Sequence, residues 1–407
     1  MRIKILLLSG IFSLSTIGAN AQEIDDKYIE SDVIPLAGKK GFSFETKAGD
    51  FILKPFTLIQ TSARYNYYDD EGLELSDQDN VANSGFEIPY AIVGLSGKAF
   101  NKLTFNLTLN AAQAGSPSLL QQAWFDINVK EELRFRVGKF KTPYNQAYLV
   151  TLGETLFPSV PISLTAPMNV DRSINSVPPA FATGFDLGVM MHGLIKDKWE
   201  YNLGIFNGTG ITVNSAKNTL SDDLGIPSLL YAGRLAFMPK GRMPGHQGSI
   251  ENLRDEKLLL ALSTSYNVEA NWQTSNDLRL GFEFAYLVNR WYFTAEGYYM
   301  NMKFVKRQKS GAIYNFLGGY IQGGYFIGNK LQAALRYDFL DRNGFDENGI
   351  INMPALGMNY YIFGYNLKLQ AMYQYLGKWG HATQLARDND DLGLAQHSAT
   401  VMLQFSF

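Results

Sequence analysis

Residues 397–407 read His-Ser-Ala-Thr-Val-Met-Leu-Gln-Phe-Ser-Phe and alternate strictly. Ala399, Val401, Leu403, Phe405 and Phe407 fall on one face, while Thr400, Gln404 and Ser406 share the other with Met402. A β-strand turns successive side chains to opposite faces. One apolar and one polar face is the pattern a spanning strand needs when one side meets hydrocarbon and the other a watery lumen. A soluble fold rarely stops on its most apolar strand, because chain ends fray into solvent. This terminus therefore reads as the closing strand of an outer-membrane β-barrel.

The other end of the chain agrees. Met1-Arg2-Ile3-Lys4 is a short basic region, residues 5–17 are mostly apolar, and Ala19-Asn20-Ala21 is an A-x-A cleavage signal. Residues 1–21 are expected to be a signal peptide, with the mature chain starting at Gln22. As a membrane anchor the apolar run is too short, and nothing behind it stops transfer. Removing Arg2 and Lys4 leaves 34 Lys+Arg (36 less 2) against 38 Asp+Glu, so the formal charge moves from -2 to -4. That balance gives nucleic acid no basic surface to bind. The chain has no cysteine and is 14% aromatic, so an oxidising compartment is tolerated without disulfides.

About sixteen alternating segments can be traced. Phe105, Leu107, Leu109 and Ala111 alternate with Thr104, Asn106, Thr108 and Asn110; Leu278, Leu280, Phe282, Phe284, Tyr286 and Val288 alternate with Asp277, Arg279, Gly281, Glu283 and Ala285. The period is 2, not 3.6. Tight links recur at residues 101–102, 130–132, 195–198, 289–290, 328–329 and 365–366, and longer ones fall between them at 69–85, 113–118, 142–183, 207–228, 269–276, 303–311, 341–353 and 377–394. Short turns and long loops taking turns is the rhythm of a bacterial barrel with both termini in the periplasm. A stack of β-sandwiches has no reason to sort its links by parity. One link breaks the rhythm: residues 238–256 occupy a short-turn slot yet are long, polar and rich in Gly and Pro. The expected organisation is a signal peptide over 1–21, a periplasmic leader or small plug over 22–54, and a transmembrane antiparallel barrel over 55–407. A coiled-coil stalk is not expected ahead of the barrel, since no heptads are present.

From Gly41 to Phe407 the order of short motifs resembles the phosphate-selective porin O and P family. The matching pieces are Gly49-Asp50-Phe51, Gln122-Ala123-Trp124-Phe125-Asp126 and Arg136-Val137-Gly138-Lys139-Phe140-Lys141-Thr142-Pro143-Tyr144. They continue with Ile205-Phe206-Asn207-Gly208, Arg234-Leu235-Ala236-Phe237-Met238-Pro239, Gly319-Tyr320-Ile321-Gln322 and Leu335-Arg336-Tyr337-Asp338. The resemblance implies a sixteen-stranded, homotrimeric porin with its third extracellular loop folded into the lumen. Where the family tends to carry a basic Ile-Arg-Arg-Ala-Arg run, this chain has Ile88-Pro89-Tyr90-Ala91-Ile92. Bidentate phosphate contact is the work of guanidinium groups, so the physical basis for phosphate selectivity is missing.

If the apolar faces meet lipid, the pore is lined by Arg64, Arg134, Arg136, Arg234, Arg279, Arg336 and Lys368, and by Asp126, Asp186, Glu200, Glu283, Glu296 and Asp338. Seven bases against six acids form no ring of one sign, which predicts weak ion selectivity. Some of these charges are as well suited to bracing neighbouring strands as to touching solute. Lys139 and Lys141 turn outward under strict alternation, unless Gly138 marks a bulge that re-aims them. The segment 142–183 carries Leu149, Val150, Leu152, Leu156, Phe157 and Ile162, poor choices for a solvated loop, and is expected to pack on the inner wall with Asp171 and Arg172 at its polar tip. A loop packed on a neighbouring subunit is the alternative.

Four histidines, His192, His246, His381 and His397, lack any catalytic or zinc spacing. Gly94-Leu95-Ser96-Gly97 is a near miss to a nucleophile elbow and sits within a strand. The acidic runs 341–346 and 388–391 do not match a calcium loop. The expectation is a non-enzymatic outer-membrane porin of a Gram-negative bacterium, without cofactor or metal, embedded in lipid and lipopolysaccharide and passing small hydrophilic solutes. A closed or plugged barrel with an adhesive or envelope-structural role is the other reading.

Overall fold

The computed structural model describes residues 33–38, 41–68, 82–113, 119–166, 168, 180–210, 214, 227–248, 250, 256–270, 275–304, 311–342, 350–378 and 396–407. A short hairpin, β1 (Val33–Gly38) and β2 (Gly41–Thr46), precedes β3 (Ile52–Tyr68) and β4 (Ala82–Ala99). Next come β5 (Leu103–Asn110), β6 (Leu120–Lys130), β7 (Leu133–Lys141), β8 (Phe185–Ile195), β9 (Trp199–Phe206) and β10 (Leu230–Phe237). The chain continues with β11 (Lys257–Ala270), β12 (Ser275–Val288), β13 (Trp291–Phe304), β14 (Ile313–Ile327), β15 (Leu331–Asp341), β16 (Ile350–Phe363), β17 (Leu367–Lys378) and β18 (Gln396–Ser406).

From β3 to β18 each strand pairs antiparallel with the next, and β18 returns to pair with β3 over Leu58 to Tyr68. The result is a closed sixteen-stranded barrel. Closure removes every edge from the wall, which a hydrocarbon environment requires of a sheet. The short links are the expected ones. At Phe100-Asn101 and at Lys196-Asp197 both residues have positive φ (53° and 57°; 50° and 54°), the backbone twist that two-residue hairpin loops favour. The C-terminal Phe407 exchanges backbone hydrogen bonds with Thr57, at 3.1 and 3.3 Å. Beyond that point β2 continues the ladder, pairing Phe44 with Leu53 and Glu45 with Ile52. The barrel wall therefore begins at Ile52, and β2 extends its rim.

The outer surface is apolar, with Leu262, Leu280, Phe282, Ile321, Leu335, Leu356, Leu403 and Phe405 all exposed. The inner face is not uniformly polar. Tyr298, Met300, Met302 and Phe304 of β13 point inward and join Phe316, Leu340, Ile351 and Met353 in an apolar cluster, while their neighbours Asn301 and Lys303 face out. Assigning every apolar position to lipid fails on this strand. Here the inward face is apolar because a loop covers it.

Candidate functional site

Between β7 and β8 the described residues 142–166, 168 and 180–184 run across the inner wall, and inward side chains of the strands hold them chiefly by their backbone. Tyr144 donates its hydroxyl to Leu280 O at 3.1 Å, and burial holds its phenol well above the ordinary range, so the proton needed for that bond stays on. A single helical turn, Gln146–Leu149, presents the amides of Gln146 and Ala147 to the Glu296 carboxylate at 3.0 and 2.6 Å; Tyr320 donates to the same group at 2.6 Å. Further along, Gln404 donates to Gly153 O, Lys368 to Thr155 O, Asn359 to Leu156 O and Arg336 to Ser159 O, all between 2.9 and 3.1 Å. Ser163 N donates to Asp338 at 3.2 Å. Leu156, Phe157, Leu164 and Phe181 are fully buried against the wall. Apart from the Tyr144 and Tyr320 hydroxyl bonds, each of these contacts gives a backbone group of the loop the partner that it needs away from bulk water.

A second segment enters the lumen from the opposite end. Residues 238–248, the link that broke the short-turn rhythm, reach far enough inward for Gln247 N to donate to Glu154 O at 2.9 Å, and for the Gln247 side-chain carbonyl to accept from Leu156 N and Gln322 Nε2, both at 3.0 Å. The sequence marks this link as anomalous in length, but nothing in its residues says that it folds inward. The loop and the turn meet over the inner faces of β12–β16 and cover them, together with the Lys368, Gln370 and Gln404 ends of β17 and β18.

Arg234 sits at one margin of that covering. Its guanidinium binds Glu200 at 2.9 Å, Glu283 at 2.8 Å and the Gln146 carbonyl at 2.9 Å, with only 3% of the side chain exposed. Arg279 donates to Ala180 O at 3.2 Å. Of the residues that alternation assigns to the lumen, Arg234, Arg279, Glu283, Glu296 and Arg336 thus point inward but lie buried beneath the covering, as do Lys368 and Asp338. They brace the wall and hold the loop.

The inward face of β3–β9 is different. Arg64 and Glu87 pair at 2.8 Å with 48% and 39% of their side chains exposed. Arg136 binds Asp126 at 2.7 Å and stacks 4.0 Å over the Trp124 ring; His192 completes the cluster at 2.9 Å from Asp126. Arg134 lies two residues away, its Nε lacking an acceptor. Gly138 has φ of 127°, and past it the lysines leave strict alternation: Lys139 is buried with Asn214 Oδ1 at 2.6 Å, and Lys141 donates to Val150 O of the loop at 3.0 Å. Pro89 lies where β4 sets two residues, Ile88 and Pro89, opposite the single Thr61, a bulge that leaves no ladder bond for proline to break. Asp171 and Arg172 lie outside the described residues. A cavity of about 380 Å³ separates the loop from β3, β4, β17 and β18.

A closed barrel with an apolar exterior, a partly filled polar lumen and an uncovered strip of inner wall defines an outer-membrane channel. Residues 59–407 match the family described as phosphate-selective porin O and P, and the chain belongs to that family. It is a porin, forming an outer-membrane channel for passive diffusion of ions and solutes. No curated relative matches the chain. Among solved structures it is similar to the anion-selective porin from Comamonas acidovorans, at 12% identity over 88% of this chain and 100% of that one, with a TM-score of 0.57. It is also similar to OmpF of Salmonella typhi, solved with daunomycin (11%, 88% and 98%, 0.54), and to the channel DcaP of Acinetobacter baumannii (13%, 91% and 100%, 0.52). At these identities the likeness establishes the fold.

Proposed function

We propose that solutes pass along the inner face of β3–β9, beside the loop and the inward turn, through a weakly selective channel. The observation that carries this reading is the uneven filling of the lumen: the charges of β10–β17 are buried under chain, whereas Arg64 and Glu87 stay open to water. The permeation path then meets Arg64, Arg134 and Arg136 against Glu87 and Glu200, with Asp126 buried behind Arg136, and Lys54 and Lys98 near the rim add to a modest positive bias. A wall of this kind sorts ions weakly and leans toward anions. The bulged Ile88-Pro89-Tyr90 stretch supplies no guanidinium groups, which argues against phosphate selectivity.

The wider reading keeps both termini periplasmic, residues 1–21 as a removed signal peptide, a homotrimer in lipid and lipopolysaccharide, and no catalytic step or cofactor. Planar-bilayer recording tests it. Conductance proportional to bulk salt, with a small reversal potential toward anions in a salt gradient, is the expected result. A barrel that inserts without conducting would favour the plugged, envelope-structural reading, for which the meeting of loop and turn in mid-lumen is the supporting observation.

A further inference from the structure

The cavity between the loop and β3, β4, β17 and β18 is walled by neutral hydrogen-bonding groups around one charge pair. Arg64 and Glu87 are its sole ionic groups among the described residues, and they already bind one another at 2.8 Å. Over the described residues its net charge is zero, so an inorganic anion gains no field from them, and a zwitterion would have to compete with the existing pair for both of its charges. A hydroxyl group faces no such competition, because it accepts from the guanidinium edge and donates to the carboxylate while the pair stays intact.

The neutral lining suits the same chemistry. Gln60, Gln374 and Thr400 place amide and hydroxyl groups in the lining, and Gln60 Oε1 and Gln374 Nε2, buried at its wall, have no protein partner. On the loop side Pro158 and Val160, and on the wall Tyr90, supply apolar surface for C–H faces. The volume of about 380 Å³ lies at the small end of the range of ligand sites, roughly 300–1,000 Å³. Along β3 the lining runs from Gln60 to Asn66, a rise of six residue steps or about 20 Å. This is an elongated cleft.

We infer that this chamber is a binding site for short linear oligosaccharides on the permeation path, an uncharged polyhydroxylated solute being the class whose groups match its walls. The inference rests on the porin reading and names a solute class for it. Two measurements on the full-length protein test it: calorimetric titration of maltotriose into detergent-solubilised protein, and the chloride current of reconstituted channels during maltotriose addition. Saturable binding and saturable block are expected, with the half-saturating concentration raised about fivefold by Gln374→Ala and again by Arg64→Ala, each deleting one hydrogen-bonding side chain. Absence of both binding and block in the wild-type protein would overturn the site, and that result needs no variant to fold. Affinity unchanged from the wild type in both variants would overturn it too, as would stronger block by glycylglycine or inorganic phosphate than by maltotriose. Binding without any conductance would instead defeat the porin reading while leaving the site in place.

Discussion

Replacing Leu149–Ala166 with a short glycine-serine linker should widen the channel and shift its selectivity at once. Sixteen strands about 4.8 Å apart and tilted by roughly 40° give a backbone radius of about 16 Å. Inward side chains take roughly half the ~10 Å spacing of packed layers, leaving a lumen about 22 Å across. A layer of chain some 10 Å deep against one wall then fills close to half of that cross-section. The deletion removes most of this layer while residues 238–248 remain, so conductance should rise by about 1.5-fold to twofold. It also strips the covering from Arg336 and Lys368, which lose Ser159 O and Thr155 O, and from Asp338, which loses Ser163 N. Two positive groups less one negative, together with the loss of Glu154 from the segment itself, add two net positive charges to the water-filled lumen. The reversal potential in a potassium chloride gradient should therefore move toward anions. Single-channel recording in a planar bilayer reads both quantities. Unchanged conductance with an unchanged reversal potential would mean that the loop lies outside the conducting path, and the lumen-filling account would be lost.

Charge reversal by Arg134→Glu with Arg136→Glu should move the reversal potential toward cations, because both sit on the uncovered face; no movement would exclude that face from the path. Glu296→Ala leaves the buried Gln146 and Ala147 amides without an acceptor at about 1–3 kcal/mol each, and should unseat the loop while the barrel stays folded, seen as added current noise with unaltered heat-modifiability on gels. Truncating Ser406-Phe407 removes the pairing of Ser406 with Leu58 and of Phe407 with Thr57, and should abolish insertion; a protease-resistant, heat-modifiable species in normal yield would contradict closure by β18. Micromolar phosphate should leave the chloride current unblocked, and strong block would restore the specificity in the family's name.

The barrel was legible because alternation is a local property: in Leu278 to Val288, or in residues 397–407, each residue declares its face without reference to the rest of the chain. What alternation cannot declare is how far the lumen is filled. Arg234 and Arg64 occupy equivalent inward positions, yet one is sealed by Glu200, Glu283 and Gln146 and the other stands in water, because a loop whose own sequence lies far away covers only one side. The same non-local cause hides the role of Gln247, an ordinary surface residue by composition. It also explains β13, where the apolar Met300 and Met302 face inward because they pack against Leu164 and Phe181 rather than lipid.

The position of Gln404 bears on how the molecule reaches this state. Its amide donates to Gly153 O, a residue 251 positions earlier, and to Tyr365 O, and its carbonyl accepts from Gln60 on the first barrel strand. Three regions far apart in the chain thus converge on one side chain of β18. Contacts of such long range form late, since the entropy of closing the intervening chain must be met first. Docking of the lumen segment and sealing of the wall therefore become a single event in assembly, and an unfinished barrel has no fixed seat for the segment that would narrow it.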